Sequence, residues 1–256
     1  MTAVPESKKQ FSPRTGRSQD YGRQCEILLL SVRVFMSCIH PAKRPRVTTC
    51  PTGLTWAGGD HRHFNPQRAH PERPERVTEI VRHLRDTGLV DRCHFVNWPG
   101  WDAPDPDGGE ADDADVDSEA ATSLHTRLAA VHSPFYLQRF APARMKRLLA
   151  RNGGGSSAND ALAEEAGQYD SVFLSSGSGE ASRRAAAASL ALTDALVRGE
   201  VRNGLAVVRP PGHHAEPCSA KGFCLVNNVA VCAANLVDQG EEVLIVDWDV
   251  HHGEPF

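Results

Sequence analysis

A three-layer α/β/α fold on a mainly parallel sheet is the fold class this sequence predicts, and three observations predict it. The runs Leu205–Val208 and Val243–Val246 are short, apolar and mostly β-branched, as strands buried on both faces are. Stretches with helical spacing alternate with such runs, which indicates helices covering a parallel sheet. Both runs end in residues capable of chemistry. The first leads into Arg209-Pro-Pro-Gly-His213-His214 and the second into Asp247-Trp-Asp249-Val-His251-His252-Gly253. Open α/β sheets carry their sites just beyond the carboxyl ends of the strands.

A length of 256 residues allows one large domain or two small ones, and 40% hydrophobic residues permit a real core. The net charge of −4 carries no nucleic-acid signature, so no direct nucleic-acid binding is expected. Seven cysteines, with no Cys-x-x-Cys pair, argue for a reducing compartment and against a disulfide framework or a structural zinc finger. The longest apolar stretch, Ile27–Ile39, is interrupted by Arg33 and is too short to span a bilayer. The expectation is a protein of the nucleus and/or cytoplasm, with no membrane association.

Residues 1–48 read as a flexible basic extension, with Lys8, Lys9, Arg14, Arg17 and Arg23 among few acids. Within it, Pro41-Ala-Lys43-Arg44-Pro-Arg46 fits a nuclear-import patch, although a solvated basic tail is the simpler reading. Residues 49–256 read as the globular part. Asp60–His70 is loop-like, and polarity alone accounts for His61 and His63. A helix opens near Pro74, carries Val77, Ile80, Val81 and Leu84 on one face, and stops at Gly88. Residues 101–121 hold nine acids and no base, which predicts a disordered acidic insertion, with docking of a basic partner as the alternative.

Leu124–Ala150 reads as helical pieces broken at Ser133-Pro134, followed by a flexible glycine- and serine-rich stretch at Asn152–Asn159. Ala181–Val197 is a packed alanine-rich helix, and Gly199 and Gly204 bracket the turn after it. Asn227–Leu236 is another helix, separated from the final strand by Gly240.

Asp249 and His251 stand two residues apart, so an extended backbone points both to one side. An oxygen and a nitrogen ligand from a strand end make half of a divalent metal site, and zinc suits them. His213 and His214 are a candidate proton-transfer pair, since imidazole titrates near working pH. A His-His pair on a loop is by itself ordinary. It gains meaning from the Asp and His ligands that a second strand end brings to the same rim.

Arg209-Pro-Pro-Gly-His-His-Ala-Glu216, Gly222-Phe223-Cys224-x-x-Asn227 and Asp247-Trp-Asp-Val-His-His-Gly253 resemble the zinc-dependent histone deacetylases, in wording closest to class II. The resemblance runs back through Tyr169-Asp-Ser-Val, His132-Ser and His70-Pro-Glu-Arg-Pro-Glu-Arg to Thr52-Gly-Leu54. It implies an arginase/deacetylase-like fold and zinc-dependent hydrolysis of acetyl-lysine amides on proteins. Asp249 and His251 would bind Zn2+. His214 would be the general base and then the acid, with His213 as its partner oriented by Asp247, which in the family also helps bind a structural K+ ion. Phe223 would line the slot for the acetyl-lysine chain, and the Gly222 carbonyl would face its amide. The implied partners are acetylated proteins, histone tails by default, and a corepressor complex, with chromatin regulation as the setting.

The sequence also departs from that pattern. The family's third zinc ligand and its oxyanion-stabilising tyrosine lie downstream of the motifs present here, and Glu254 follows His-His-Gly where class II proteins usually have Asn. Ala57 stands where relatives often have Asp. The expectation is a domain whose C-terminal part is missing and whose activity is impaired. Two rivals stand beside the protein deacetylase: an acetylpolyamine amidohydrolase with the same chemistry, and a truncated, non-catalytic binding protein.

Overall fold

The structure, a computed structural model, describes residues 51–57, 62–65, 69–99, 119–151 and 156–253. The expected basic extension 1–48, His61 and most of the acidic stretch lie outside the described residues.

Three parallel strands form the sheet: β1 (Thr52–Ala57), β2 (Cys93–Phe95) and β3 (Asn203–Val208), in the order β2-β1-β3. The period of two along each strand assigns its faces. Leu54, Trp56 and Val207 turn towards α1 (Glu75–Asp86) and pack with its Val77 and Val81. Ala206 and Val208 turn the other way, onto α6 (Ser178–Val197) and α7 (Asn228–Asp238). The sheet is therefore sandwiched between helices, the three-layer arrangement that the alternation of elements predicts. β1 and β2 had no clear signature in the sequence.

Local chemistry places the helices. Pro74 sits just ahead of the first residue of α1, where its missing N–H costs nothing. Gly88 closes that helix with φ of 68°, while Leu89 N–H returns to the Leu84 carbonyl. The expected break at Ser133-Pro134 is a helix start: Ser133 Oγ accepts the Tyr136 N–H and opens α3 (Pro134–Arg139). Its neighbours are α2 (Glu119–Ala129) and α4 (Pro142–Arg151).

Two boundaries need correction. Glu119–Ala121, expected in the acidic insertion, form the first turn of α2, where a carboxylate favours the helix dipole. The glycine- and serine-rich stretch gives way at Ser156 to α5 (Ser156–Ala166), whose Leu162 and Ala166 pack against Tyr136, Met145 and Leu174. Burial there outweighs the loop-like composition.

Two further expectations fail for a common reason, that neighbours decide what a residue does. Gly204 is no turn residue. It lies inside β3, register-paired with Gly53 of β1, and a Cβ on either would come within 2.6 Å of Leu192 of α6. The glycine pair is a socket that seats Leu192 on the sheet. Val243–Val246 forms no strand, and Leu244, Ile245 and Val246 are 68, 37 and 59% exposed. β-Branched residues suit a strand only where a neighbour takes the backbone ladder, and no described strand pairs with this one.

The socket yields a test. Gly204→Ala places a methyl against a buried leucine and is expected to cost about 1–3 kcal/mol. Urea unfolding would read that loss as a lower midpoint, and part of it should return in a Leu192→Ala background.

Candidate active site

The chain leaves β3 at Arg209, whose N–H still donates to the Ala57 carbonyl as if the strand continued. Its guanidinium is buried at 1% exposure and has to be neutralised there. Glu72 does so with two hydrogen bonds, Nε to Oε1 at 2.7 Å and Nη2 to Oε2 at 2.8 Å, and Nη2 also donates to the His63 carbonyl. Burial pushes the Glu72 carboxyl upward, but hydrogen bonds and charge from His63 and Arg209 outweigh it and lower the pKa to about 2.

His63, expected to be a polar loop residue, is in fact buried. It meets Glu72 Oε2 at 3.4 Å and Ser178 Oγ at 2.8 Å, and stacks on Phe173 with ring centroids 4.8 Å apart.

Beyond Arg209 the loop is tied to the start of α7. Asn228 Nδ2 donates to the Pro210 carbonyl, and Asn227 Nδ2 donates to the Ala215 carbonyl. Asn227 Oδ1 caps α7 by accepting the Ala230 N–H. A Cβ at Gly212 would stand 2.6 Å from the Asn228 nitrogen, so only glycine lets the loop lie this close. His132 backs the assembly. Its Nε2 accepts the Asn227 N–H at 2.9 Å, which leaves the Nδ1 proton for the Glu216 carbonyl at 3.0 Å. Burial lowers its pKa, in keeping with a neutral structural imidazole.

This anchored loop presents His213 and His214, whose ring centroids are 4.0 Å apart. Asp247 Oδ2 meets His213 Nδ1 at 2.8 Å, and the His214 and His251 rings lie 6.0 Å apart. The structure thus brings His213, His214, Asp247, Asp249 and His251 together. It does so without the expected strand. Asp247 Oδ1 accepts the Asp249 N–H at 3.0 Å, and Asp249 Oδ1 accepts the His251 N–H at 2.7 Å. Two successive aspartate turns, each bonding two residues ahead, set the side chains in place of the pleat. Burial tends to raise both carboxyls, but those backbone bonds and the imidazoles hold both below the usual carboxylate range.

Asp249 Oδ1 and His251 Nδ1 face each other at 2.8 Å. Zinc bonds of about 2.1 Å at a tetrahedral angle separate two ligand atoms by about 3.4 Å. An opening of roughly half an ångström therefore admits an ion, and the donor set fits two of its ligands. Among the described residues, no cluster of three or more His, Cys, Asp or Glu side chains is placed to hold a metal.

Gly222 and Phe223 close the other side. Their N–H groups donate to the carbonyls of Asp170 and Ser171, which fixes a turn with φ of 52° and 70°. A Cβ at Gly222 would lie 2.4 Å from His214 Cδ2, so the backbone itself walls the imidazole. Phe223 meets His70 edge-on at 4.7 Å, and His70 meets Phe173 at 4.8 Å. Cys224 Sγ lies 3.3 Å from the Gly222 carbonyl, the group expected to face a substrate amide. Glu72 and Arg209 both sit in motifs visible in the sequence, but no local pattern joins residues 137 positions apart.

The loop after a parallel strand thus sets a His-His pair against an aspartate, beside an Asp-His donor pair. A family described as "Histone deacetylase domain" matches residues 70–255. The chain therefore belongs to the histone deacetylase family, and its motif wording fits class II. Histone deacetylase 18 of Arabidopsis thaliana is 48% identical over 207 residues, which cover 78% of this chain and 26% of that protein. Polyamine deacetylase HDAC10 of Homo sapiens is 35% identical, covering 72% of this chain and 23% of that protein. Histone deacetylase HDA1 of Saccharomyces cerevisiae is 34% identical, covering 72% and 24% respectively. The chain spans about a quarter of the length of these relatives. Among the described residues, no helix is long and apolar enough to cross a membrane.

Two expectations follow. Gly222→Ala combines a left-handed backbone with a clash against His214. It should cost about 1–3 kcal/mol in chemical denaturation and shift the His214 ring resonances, while Gly88→Ala, with open space around it, leaves those resonances alone. Glu72 gives a pH test. Its folded pKa of about 2 lies below the ordinary 4.5, so the unfolded chain takes up the proton first. The stabilisation is complete above about pH 4.5 and is lost as the pH falls through about 2, a difference of about 3 kcal/mol. Glu72→Gln should be less stable at pH 6 and show a flatter slope of unfolding free energy between pH 5 and 2.5.

Proposed function

We propose that this chain contributes residues of a zinc-dependent deacetylase site that hydrolyses acetyl-lysine amides on proteins. The observation that carries the reading is the hydrogen bond between His213 and Asp247, with His214 beside it and both close to the Asp249–His251 donor pair. Asp249 and His251 would hold the zinc ion. Bound zinc supplies Lewis acidity, which polarises the acetyl carbonyl and acidifies water. His214 takes the proton from the attacking water and returns it to the leaving lysine amine. Asp247 orients His213 and favours positive charge on the histidine pair as that proton arrives. Phe223 lines the slot for the lysine methylenes, and the Gly222 carbonyl accepts the amide N–H. Asp247 would also contribute to a K+ site. Acetylated histone tails are the default substrate, with chromatin regulation in the nucleus, work in the cytoplasm and a corepressor complex as corollaries.

The human relative, a polyamine deacetylase, favours a second reading, an acetylated polyamine as substrate. Both amines leave through the same proton relay, so a direct comparison separates them. Zinc-loaded protein should release acetate from an acetyl-lysine peptide faster than from acetylspermidine. Turnover is expected to stop on chelation and to return with added Zn2+. His214→Ala should lower kcat by about 100- to 10,000-fold. A faster reaction with acetylspermidine would move the assignment to the polyamine, and no chelator-sensitive release from either would count against catalysis.

A further inference from the structure

The proposed reaction gives no step to Glu72 or Arg209, yet both are fully buried and doubly bonded to each other. A buried ion pair is a poor source of stability, because apolar side chains of similar volume commonly serve as well or better. What an apolar pair cannot supply is direction. The two bonds join the loop after β3 to the residues before α1, and the third guanidinium contact reaches the His63 carbonyl. Glu72 acts a second time through its backbone. Its N–H donates to His70 Nδ1 at 3.1 Å, which leaves the proton of a neutral imidazole on Nε2 and fixes how the ring faces Phe223. Phe173, between the stacked His63 and the edge-on His70, completes a continuous aromatic wall.

We propose that the Glu72–Arg209 pair is a positioning device that holds His70 in register against Phe223 while anchoring the loop of His213 and His214. It thereby fixes the wall of the slot beside the proton relay. The role of that slot in taking an acyl-lysine chain rests on the deacetylase reading. The register itself does not.

The test uses the full chain and reads nuclear Overhauser contacts between the His70 and Phe223 ring protons, which need no turnover. Arg209→Lys keeps the charge but loses the two-pronged geometry. The double variant Glu72→Leu with Arg209→Met fills the volume without charge. Both are expected to keep wild-type far-UV circular dichroism and to lose the His70–Phe223 contacts. In zinc-loaded protein, KM for an acetyl-lysine peptide should rise about tenfold, with a smaller change in kcat. Contacts retained in the double variant would show that the pair only fills space and overturn the proposal. A double variant that fails to fold would also overturn it, by making the pair's role stability. Lost contacts with an unchanged KM would overturn the link to the slot. If the wild-type chain turns nothing over, the deacetylase reading fails, and the ring contacts alone decide the positioning role.

Discussion

A guanidinium buried at the end of a strand has to find a carboxylate, and the way Arg209 meets that requirement organises the site. Its partner comes from the loop before α1, so the ion pair joins the first part of the sheet layer to the strand carrying the histidines. Everything beyond Arg209 inherits that anchor. Asn227 and Asn228 hold carbonyls on the loop, Gly212 lets it lie against α7, and His132 holds the start of α7 from behind. The histidine pair thus stands on a loop whose Pro210 and Ala215 carbonyls are both held by side chains of the α7 start.

The acidic side of the site is built by a different device. Asp247 and Asp249 each use a carboxylate oxygen to bond the backbone two residues ahead. The same turn chemistry that usually interrupts a strand here arranges a donor pair. Asp247 spends its other oxygen on His213, so one side chain orients both the metal-ligand segment and the proton relay. This coupling explains why the site forms although Val243–Val246 makes no strand and Leu244, Ile245 and Val246 are exposed.

Much of the fold was legible in the sequence because its signals are local. Helix α1 announced itself through Pro74, its apolar face and Gly88, and α7 through the run that follows Asn227. The candidate site was legible through clustered chemistry: His213-His214 and the Asp-x-Asp-x-His run are each a few residues long. The misreadings share a cause. His63 looked like a polar loop residue because Ser178, which it bonds, lies 115 positions away. Gly204 looked like a turn because nothing local reveals Leu192 above it. α5 hid behind a glycine-rich lead, since its apolar residues matter only once α3 and α4 pack beside them.

The sequence by itself determined helices α1, α6 and α7 and strand β3, the glycine stop of α1, the side-chain chemistry of the site and membership in the histone deacetylase family. Each is written in residues near one another or in motifs of fixed spacing. Tertiary structure alone decided that Glu72 neutralises Arg209, that His70 meets Phe223 and that Gly222 walls His214. Those relations depend on backbone paths that converge from distant parts of the chain. The energy of burying a charge or excluding a Cβ exists only after they have done so.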